Sequence, residues 1–285
     1  HYGGCHRAGP VWTVKRKTIT IIALCALLAF LLLAALDTRL RVVSYEIPSE
    51  KITVPVRLAV LTDLHSCKYG EGQRELLDAV TAQAPDAVAL VGDIVDDVLP
   101  EENAWMTVSA LAEQWPCFYV TGNHEWWSGE AERICDQMEA LGVHVLRGDA
   151  VTMELNGEKI TFCGIDDPDS GESEQQLSQL EKCDKENTFT ILLAHRPEDI
   201  SSYLDDAYDL ILSGHAHGGQ WRIPGILNGL YAPNQGLFPS YAGGRYSFDG
   251  TVFLVSRGLA RESTRIPRIF NRPEVVVADL VPKSR

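Results

Sequence analysis

Five short runs of nearly continuous apolar residues, 56–62, 87–91, 117–121, 189–193 and 208–212, set the rhythm of the chain. Runs of that length without alternation are expected of strands covered on both faces. Between the first two, Leu76, Leu77, Val80 and Ala84 recur at helical spacing and predict a helix over 75–83, ended by Pro85-Asp86. Helices are also predicted over 104–114, 130–141 and 174–183, with a short strand at 143–146. Asn156-Gly157 between 151–155 and 159–164 predicts a β-hairpin with a type I′ turn. Residues 251–256 and 275–280 read as the last two strands. The stretch 221–250 is rich in Gly, Pro, Asn and aromatics without a period, and reads as one long loop shaping a site. Residues 42–56 alternate weakly and fit either a linker or an edge strand. Strand and helix in succession make this an α/β chain of doubly wound type.

Residues 18–36 break the rhythm. They are nineteen residues with no charge and no proline, close to the ~20 that span a bilayer as a helix. A core helix of that length would carry a polar stripe, and Lys15-Arg16-Lys17 flanks this one as an interfacial anchor. The run exceeds the ~7–15 residue core of a signal peptide, so an uncleaved single-pass anchor in the cell membrane is expected. Arg7 and Lys15–Lys17 ahead of it, against Arg39, Arg41 and Lys51 behind, favour the N-terminus inside and the domain that follows extracytoplasmic. The expected organisation is a basic tail at 1–17, an anchor at 18–36, a linker or edge strand at 37–55 and one domain over 56–285.

The chain carries 25 Lys and Arg against 39 Asp and Glu, but its first fifty residues hold six basic and three acidic. The rest therefore has a net charge of −17, which excludes nucleic-acid binding through a basic surface; no such partner is expected. Seven cysteines at 5, 25, 67, 117, 135, 163 and 183 show no repeating spacing and are not a disulfide framework. The free thiols suit a reducing compartment and pull against the outward orientation.

Chemistry collects where the apolar runs end. Asp63-Leu64-His65, Gly92-Asp93, Gly122-Asn123-His124-Glu125, Ala194-His195 and Gly214-His215-Ala216-His217 each follow one. Strand carboxyl ends converge in α/β folds, so these groups are expected to meet. Taken singly, Asn123 fits a turn, His195 a surface histidine before Pro197, and Asp63 a helix N-cap. Together they offer imidazole and oxygen donors without thiolate, a set suited to Mn, Fe or Zn. A carboxylate such as Asp93 is able to bridge two cations, and a cation pair activates water for attack on phosphorus. Cys67 is expected to be a small buried residue, Trp126 and Trp127 to be core, and Arg222, Arg245, Arg257 and Arg261 to be candidates for phosphate contacts.

In their order and spacing these five blocks resemble the calcineurin-like metallophosphoesterase superfamily. Gly214–Gln220 with Ser256-Arg257-Gly258-Leu259, Arg268 and Pro273-Glu274 further resembles its membrane-associated YkuE/YaeI-like phosphodiesterase branch. The resemblance implies two mixed β-sheets sandwiched together and flanked by helices. It implies two divalent metal ions, one held by Asp63, His65 and His217, the other by Asn123, His195 and His215, with Asp93 bridging. His124 would protonate the leaving group or stabilise the transition state. The implied substrate is a phosphate ester or pyrophosphate, with a lipid-linked one suggested by the anchor. One position departs: many members carry Arg four residues after the bridging Asp, where this chain has Asp97. That leaves, as an alternative, a scaffold protein that keeps fold and metals without turnover.

Overall fold

The structure is a computed structural model and describes residues 11–181, 187–204, 208–264 and 266–283. In chain order its helices are α1 (Val11–Ala35), α2 (Arg74–Thr81), α3 (Glu102–Ala112), α4 (Asn123–Trp127), α5 (Ala131–Ala140), α6 (Ser173–Leu180) and α7 (Ile200–Tyr203). The strands are β1 (Arg41–Ser49), β2 (Val56–Leu61), β3 (Ala87–Val91), β4 (Cys117–Val120), β5 (His144–Val145), β6 (Asp149–Leu155), β7 (Glu158–Gly164), β8 (Phe189–Leu193), β9 (Leu210–Ser213), β10 (Tyr231–Ala232), β11 (Gly236–Leu237), β12 (Gly244–Phe248), β13 (Thr251–Val255) and β14 (Glu274–Pro282). The predicted end of the helix over 174–183, with Cys183, lies outside the described residues, as does Cys5.

Two six-stranded mixed sheets, ordered β1-β14-β2-β3-β4-β5 and β12-β13-β9-β8-β7-β6, pack face to face. The period-2 alternation of each buried strand decides what meets what. Leu58, Val60, Ala89, Val91, Phe118 and Val120 point between the sheets, where they meet Ile160, Phe162, Ile191, Leu193 and Leu212. The Phe118 and Phe162 rings stack at 3.7 Å across that layer. The intervening Ala59, Leu61, Val88, Leu90 and Tyr119 point outward and are capped by Leu76, Val108, Leu111, Ile134 and Met138 of α2, α3 and α5. A doubly wound sheet would have helices on both faces. Here the second sheet takes one of them, which corrects the arrangement read from periodicity alone and matches the sandwich that the resemblance implied.

Of the two readings of residues 42–56 the structure takes the edge strand: β1 closes one end of the first sheet and pairs in parallel with β14 from Arg41↔Glu274 to Ser49↔Pro282. One local reading changes. The long loop 221–250 contains the small β10–β11 hairpin and the edge strand β12, which pairs antiparallel with β13. Gly244 and the polar residues of β12 hid it from a hydrophobicity reading. The 156–157 turn is as read, with positive φ at Asn156 (53°) and Gly157 (84°).

Helix α1 is long and apolar enough over Thr18–Ala35 to cross a membrane and is almost wholly exposed. A signal sequence near an N-terminus fits the same description.

Candidate metal centre

All five motif blocks lie just past strand ends: Asp63 and His65 after β2, Asp93 after β3, Asn123 and His124 opening α4 after β4, His195 after β8, and His215 and His217 after β9. The parallel ladders β2–β3, β3–β4 and β8–β9 bring these carboxyl ends level, and the two sheets deliver them to one rim. Five of these residues turn there with left-handed backbone, Asp63 (φ 50°), His65 (47°), Asp93 (52°), His215 (61°) and His217 (47°), as does the neighbouring Ser66 (51°). Non-glycine residues pay strain for that conformation, and such strain concentrates at functional sites. Gly258 (φ 70°) shows how closely the backbone is packed, since a Cβ there would lie 2.6 Å from Asp63 Oδ2.

The ligand atoms of Asp63, His65 and His217 lie within 4.8 Å of one another, as do those of Asp93, His195 and His215. His65 and His124 form a third such group with Asp93, which thereby joins the two triads. His195 Nε2 stands 3.1 Å and His65 Nε2 3.6 Å from Asp93 Oδ2. Asn123 is buried at the start of α4, next to His124, whose backbone N–H donates to Asp93 Oδ1 at 2.8 Å.

Buried polar atoms almost always find partners. Here His65 Nε2, Asp93 Oδ2, Asn123 Oδ1, His195 Nε2 and His217 Nδ1 are buried without a hydrogen bond. The His65 and His195 nitrogens among them face Asp93 Oδ2, and the whole set offers nitrogen and oxygen donors, which fits divalent cations and not a thiolate site. Protonation tells the same story. Burial holds His217 well below its usual value and takes His215 down to about 3, keeping both imidazoles neutral and able to ligate. Burial also opposes charge on His195, yet Asp93 and Asp63 push it up to about 10. Two buried carboxylates thus draw positive charge into the rim, a demand that a cation meets.

A supporting layer fixes the candidate ligands. The Glu125 carboxylate, fully buried, accepts from the backbone N–H groups of Asp93, Ile94, Val95 and Gly122 at 2.8 to 3.0 Å. It ties the Gly92-Asp93 turn to the Gly122-Asn123 turn. His195 Nδ1 donates to the Val91 carbonyl at 2.8 Å, and His65 Nδ1 lies 2.9 Å from Asp96 Oδ1. These contacts turn both Nε2 atoms toward the rim, the usual task of groups behind a metal ligand. Asp96 and Asn234, which lies 3.0 Å from His215 Nε2 through its Oδ1, were not singled out by sequence. Asp96 had a signal, three residues past Asp93; Asn234 had none, being brought in by a loop.

His124 is partly open to solvent, and its Nδ1 lies 2.6 Å from Asp97 Oδ1 and 3.4 Å from Asp96 Oδ1. Burial lowers its proton affinity, but Asp96, Asp93 and Asp97 more than reverse that and push it up to about 9. Trp127 is 59% exposed and lies 4.8 Å from the His124 ring, so it is rim and not core. Helix α4 is one turn long and leaves that side chain over Asp169, to which Nε1 donates. Trp126 is half-buried, its Nε1 donating to Thr121 Oγ1. Of the four arginines, Arg257 is paired with Glu274 and Arg261 with Glu75, and both are structural contacts. Arg222 donates to the Asn228 carbonyl and Arg245 lies exposed on β12.

The model of calcineurin-like phosphoesterases matches residues 56–219, more than half of the chain. The chain belongs to the calcineurin-like phosphoesterase family. Among curated relatives of this metallophosphoesterase, the uncharacterized protein YpbG of Bacillus subtilis (strain 168) is 26% identical over 94% of this chain and 97% of its own length. The phosphodiesterase YaeI of Escherichia coli (strain K12) is 28% identical over 80% of this chain and 83% of its own. Against relatives from Helicobacter pylori and Campylobacter jejuni the chain spans only 47% to 62% of their length. Among solved structures, TT1561 of Thermus thermophilus superposes with a TM-score of 0.50 at 12% identity, covering 73% of this chain and 92% of that one. That likeness concerns the fold alone. The family consists of metallophosphoesterases, hydrolases of phosphoester bonds that typically bind divalent metals, and the clustered donors of this chain are candidate ligands of that kind.

Proposed function

We propose that the chain is a membrane-anchored phosphohydrolase of phosphodiesterase type that uses a pair of divalent cations. The observation that carries the reading is the position of Asp93 between the Asp63–His65–His217 and His195–His215 clusters. Asp63, His65 and His217 would hold one cation and Asn123, His195 and His215 the other, with Asp93 placed to serve both. Bound there, the cations supply Lewis-acid polarisation of the phosphoryl oxygens and an acidified water. His124 carries a proton near neutrality, because Asp96 and Asp97 stand behind its Nδ1, and gives it to the leaving oxygen. Mn, Fe and Zn all suit the donor set. Helix α1 anchors the chain as a single-pass span with the domain outside the cytoplasm, and the substrate is a phosphate ester or pyrophosphate at the membrane surface, lipid-linked ones included.

The test uses the full chain in detergent, stripped of metal and reloaded separately with Mn, Zn or Fe. Hydrolysis of bis-p-nitrophenyl phosphate is compared with that of p-nitrophenyl phosphate, with His217→Ala as control. Metal-dependent diester hydrolysis lost in the control is the expected result. Two bound equivalents with no turnover of either compound would instead favour the non-catalytic scaffold.

A further inference from the structure

The end of α1 is not tethered loosely to the domain. The Phe270 N–H donates to the Ala35 carbonyl at 2.7 Å, and Ala35 is buried. Arg272 donates through Nε to the Arg39 carbonyl (2.8 Å) and through Nη2 to that of Leu40 (2.9 Å). Between these contacts sits Asn271, whose Nδ2 donates to the His217 carbonyl at 2.7 Å. Phe270 and Asn271 are chain neighbours, with Cα atoms roughly 4 Å apart. The helix end and a candidate metal ligand are therefore held by consecutive residues.

The same seam carries a bare apolar patch. Trp221 bridges to Ile269, and its Nε1 donates to the Pro267 carbonyl at 3.0 Å. Leu230 N–H donates to the Trp221 carbonyl and Phe238 N–H to the Leu230 carbonyl, so the 221–238 loop is stitched to the segment that grips α1. On it Trp221, Ile223, Ile226, Leu237, Phe238 and Ile266 are exposed, Ile226 to 85%. Large apolar groups gathered on one surface mark an interaction site, since they add nothing to the core and cost solubility when left bare. The 267–270 segment that bonds to Trp221 also bonds to Ala35, so the loop is tied through it to the end of α1, whose bare apolar residues call for hydrocarbon.

We propose that the 221–238 loop, with Ile266, is a second membrane contact that lies in the headgroup–acyl boundary of the bilayer crossed by α1 and turns the metal centre toward phosphates at that surface. The proposal rests on the anchored reading given above. Interfacial segments of this composition sit about 5–10 Å into the boundary, and aromatic residues favour that level. A lipid surface is favoured over a protein partner because the loop is hydrogen-bonded to the segment that holds the end of α1.

The test uses the full chain reconstituted in phosphatidylcholine–phosphatidylglycerol vesicles, with Cys5 and Cys183 replaced by Ser. The buried thiols of Cys67, Cys117, Cys135 and Cys163 escape native labelling. An environment-sensitive fluorophore is placed on Cys25 in α1 or, with Cys25→Ser, on Ile226→Cys, Phe238→Cys or Val54→Cys. Val54 is 46% exposed and precedes β2, at the end of the sheet opposite the metal centre. Lipids spin-labelled deep in the acyl chain are expected to quench position 25, and lipids labelled at shallow depth to quench positions 226 and 238, each several-fold more than position 54. Quenching at 25 but at neither 226 nor 238 would overturn the second contact and leave the anchor standing. Shielding of 226 and 238 from aqueous iodide without lipid quenching would overturn it in favour of a protein partner. No quenching at 25 would remove the anchor and this proposal together.

Discussion

The Asp97 carboxylate lies 2.6 Å from Nδ1 of His124, at the solvent edge of the rim. Where many relatives of this family carry an arginine, this chain has placed a negative charge that holds the candidate proton donor. The imidazole is pushed up to about 9 by Asp96, Asp93 and Asp97 against its burial. Bound cations nearby pull it back, so a rate that needs protonated His124 is expected to fall along an alkaline limb below about 9. Removing a neighbouring carboxylate weakens the hold on the proton. Asp97→Asn should therefore move that limb to lower pH by on the order of one unit, or about 1.4 kcal/mol. The pH profile of kcat for diester hydrolysis reads the shift, and an unmoved limb would count against Asp97 acting through His124.

The same charge bears on substrate choice. A carboxylate at the rim repels a monoester dianion more than a diester monoanion, by roughly 1–4 kcal/mol per unit charge at 4 Å. Asp97→Arg is expected to raise kcat/KM for p-nitrophenyl phosphate relative to bis-p-nitrophenyl phosphate by about tenfold or more, falling with salt. A ratio unchanged by the charge reversal would mean that Asp97 does not see the substrate.

Asn234 sits behind His215, with Oδ1 3.0 Å from Nε2. An acceptor there keeps the proton on Nε2 and leaves Nδ1 free to ligate. Asn234→Ala should weaken one of the two cations by about 10- to 100-fold, the usual cost of losing a group behind a metal ligand. Metal analysis after dialysis reads this directly, one equivalent being retained and the other lost, and Asn234→Asp should recover it.

Sequence carried the strand-end chemistry because it is written locally. Each of Asp63, Asp93, His124, His195 and His215 follows an apolar run by one to three residues, and parallel pairing brings such ends level whatever lies between. The central strands were legible for the same reason. The second sheet was not read from periodicity, because Phe162 and Ile191 look like any buried strand residues and nothing local says that they face Phe118 across a layer and not a helix. Trp127 misled because an aromatic reads as core, whereas the short α4 leaves it at the rim. Asn234 and the Phe270–Ala35 contact depend on the path of loops, and loop paths follow from tertiary packing that no periodicity encodes.

Gly258 offers a backbone test of the first cluster. Its φ of 70° and a Cβ that would meet Asp63 at 2.6–2.7 Å both resist any side chain. Gly258→Ala is expected to cost roughly 1–3 kcal/mol from the backbone conformation alone, and to displace Asp63. Metal-free protein should lose stability by about that amount in urea, and the metal-loaded form by more, because weaker binding removes stabilisation that scales with RT ln(1 + [L]/Kd). Equal losses with and without metal would show that Asp63 keeps its place.

Arg196, the residue after His195, is 5% exposed and grips the fully buried Asp167 with two parallel bonds, Nε to Oδ2 at 2.7 Å and Nη2 to Oδ1 at 2.8 Å. Nη2 also reaches Asp169 Oδ2 at 3.0 Å, the oxygen to which Trp127 donates. The pair thus joins the end of β8, which carries His195, to the 166–170 loop and through it to the rim beside His124. A buried pair of this geometry contributes little net stability over an apolar replacement, but removing one partner strands the other charge. Arg196→Met should cost about 3–5 kcal/mol through the stranded Asp167, whereas Arg196→Met with Asp167→Leu should recover much of it. Urea unfolding of the single and double variants measures both. If the rim depends on the clamp, the double variant will fold yet bind its cations more weakly than the native chain; native metal affinity in it would limit the clamp to stability.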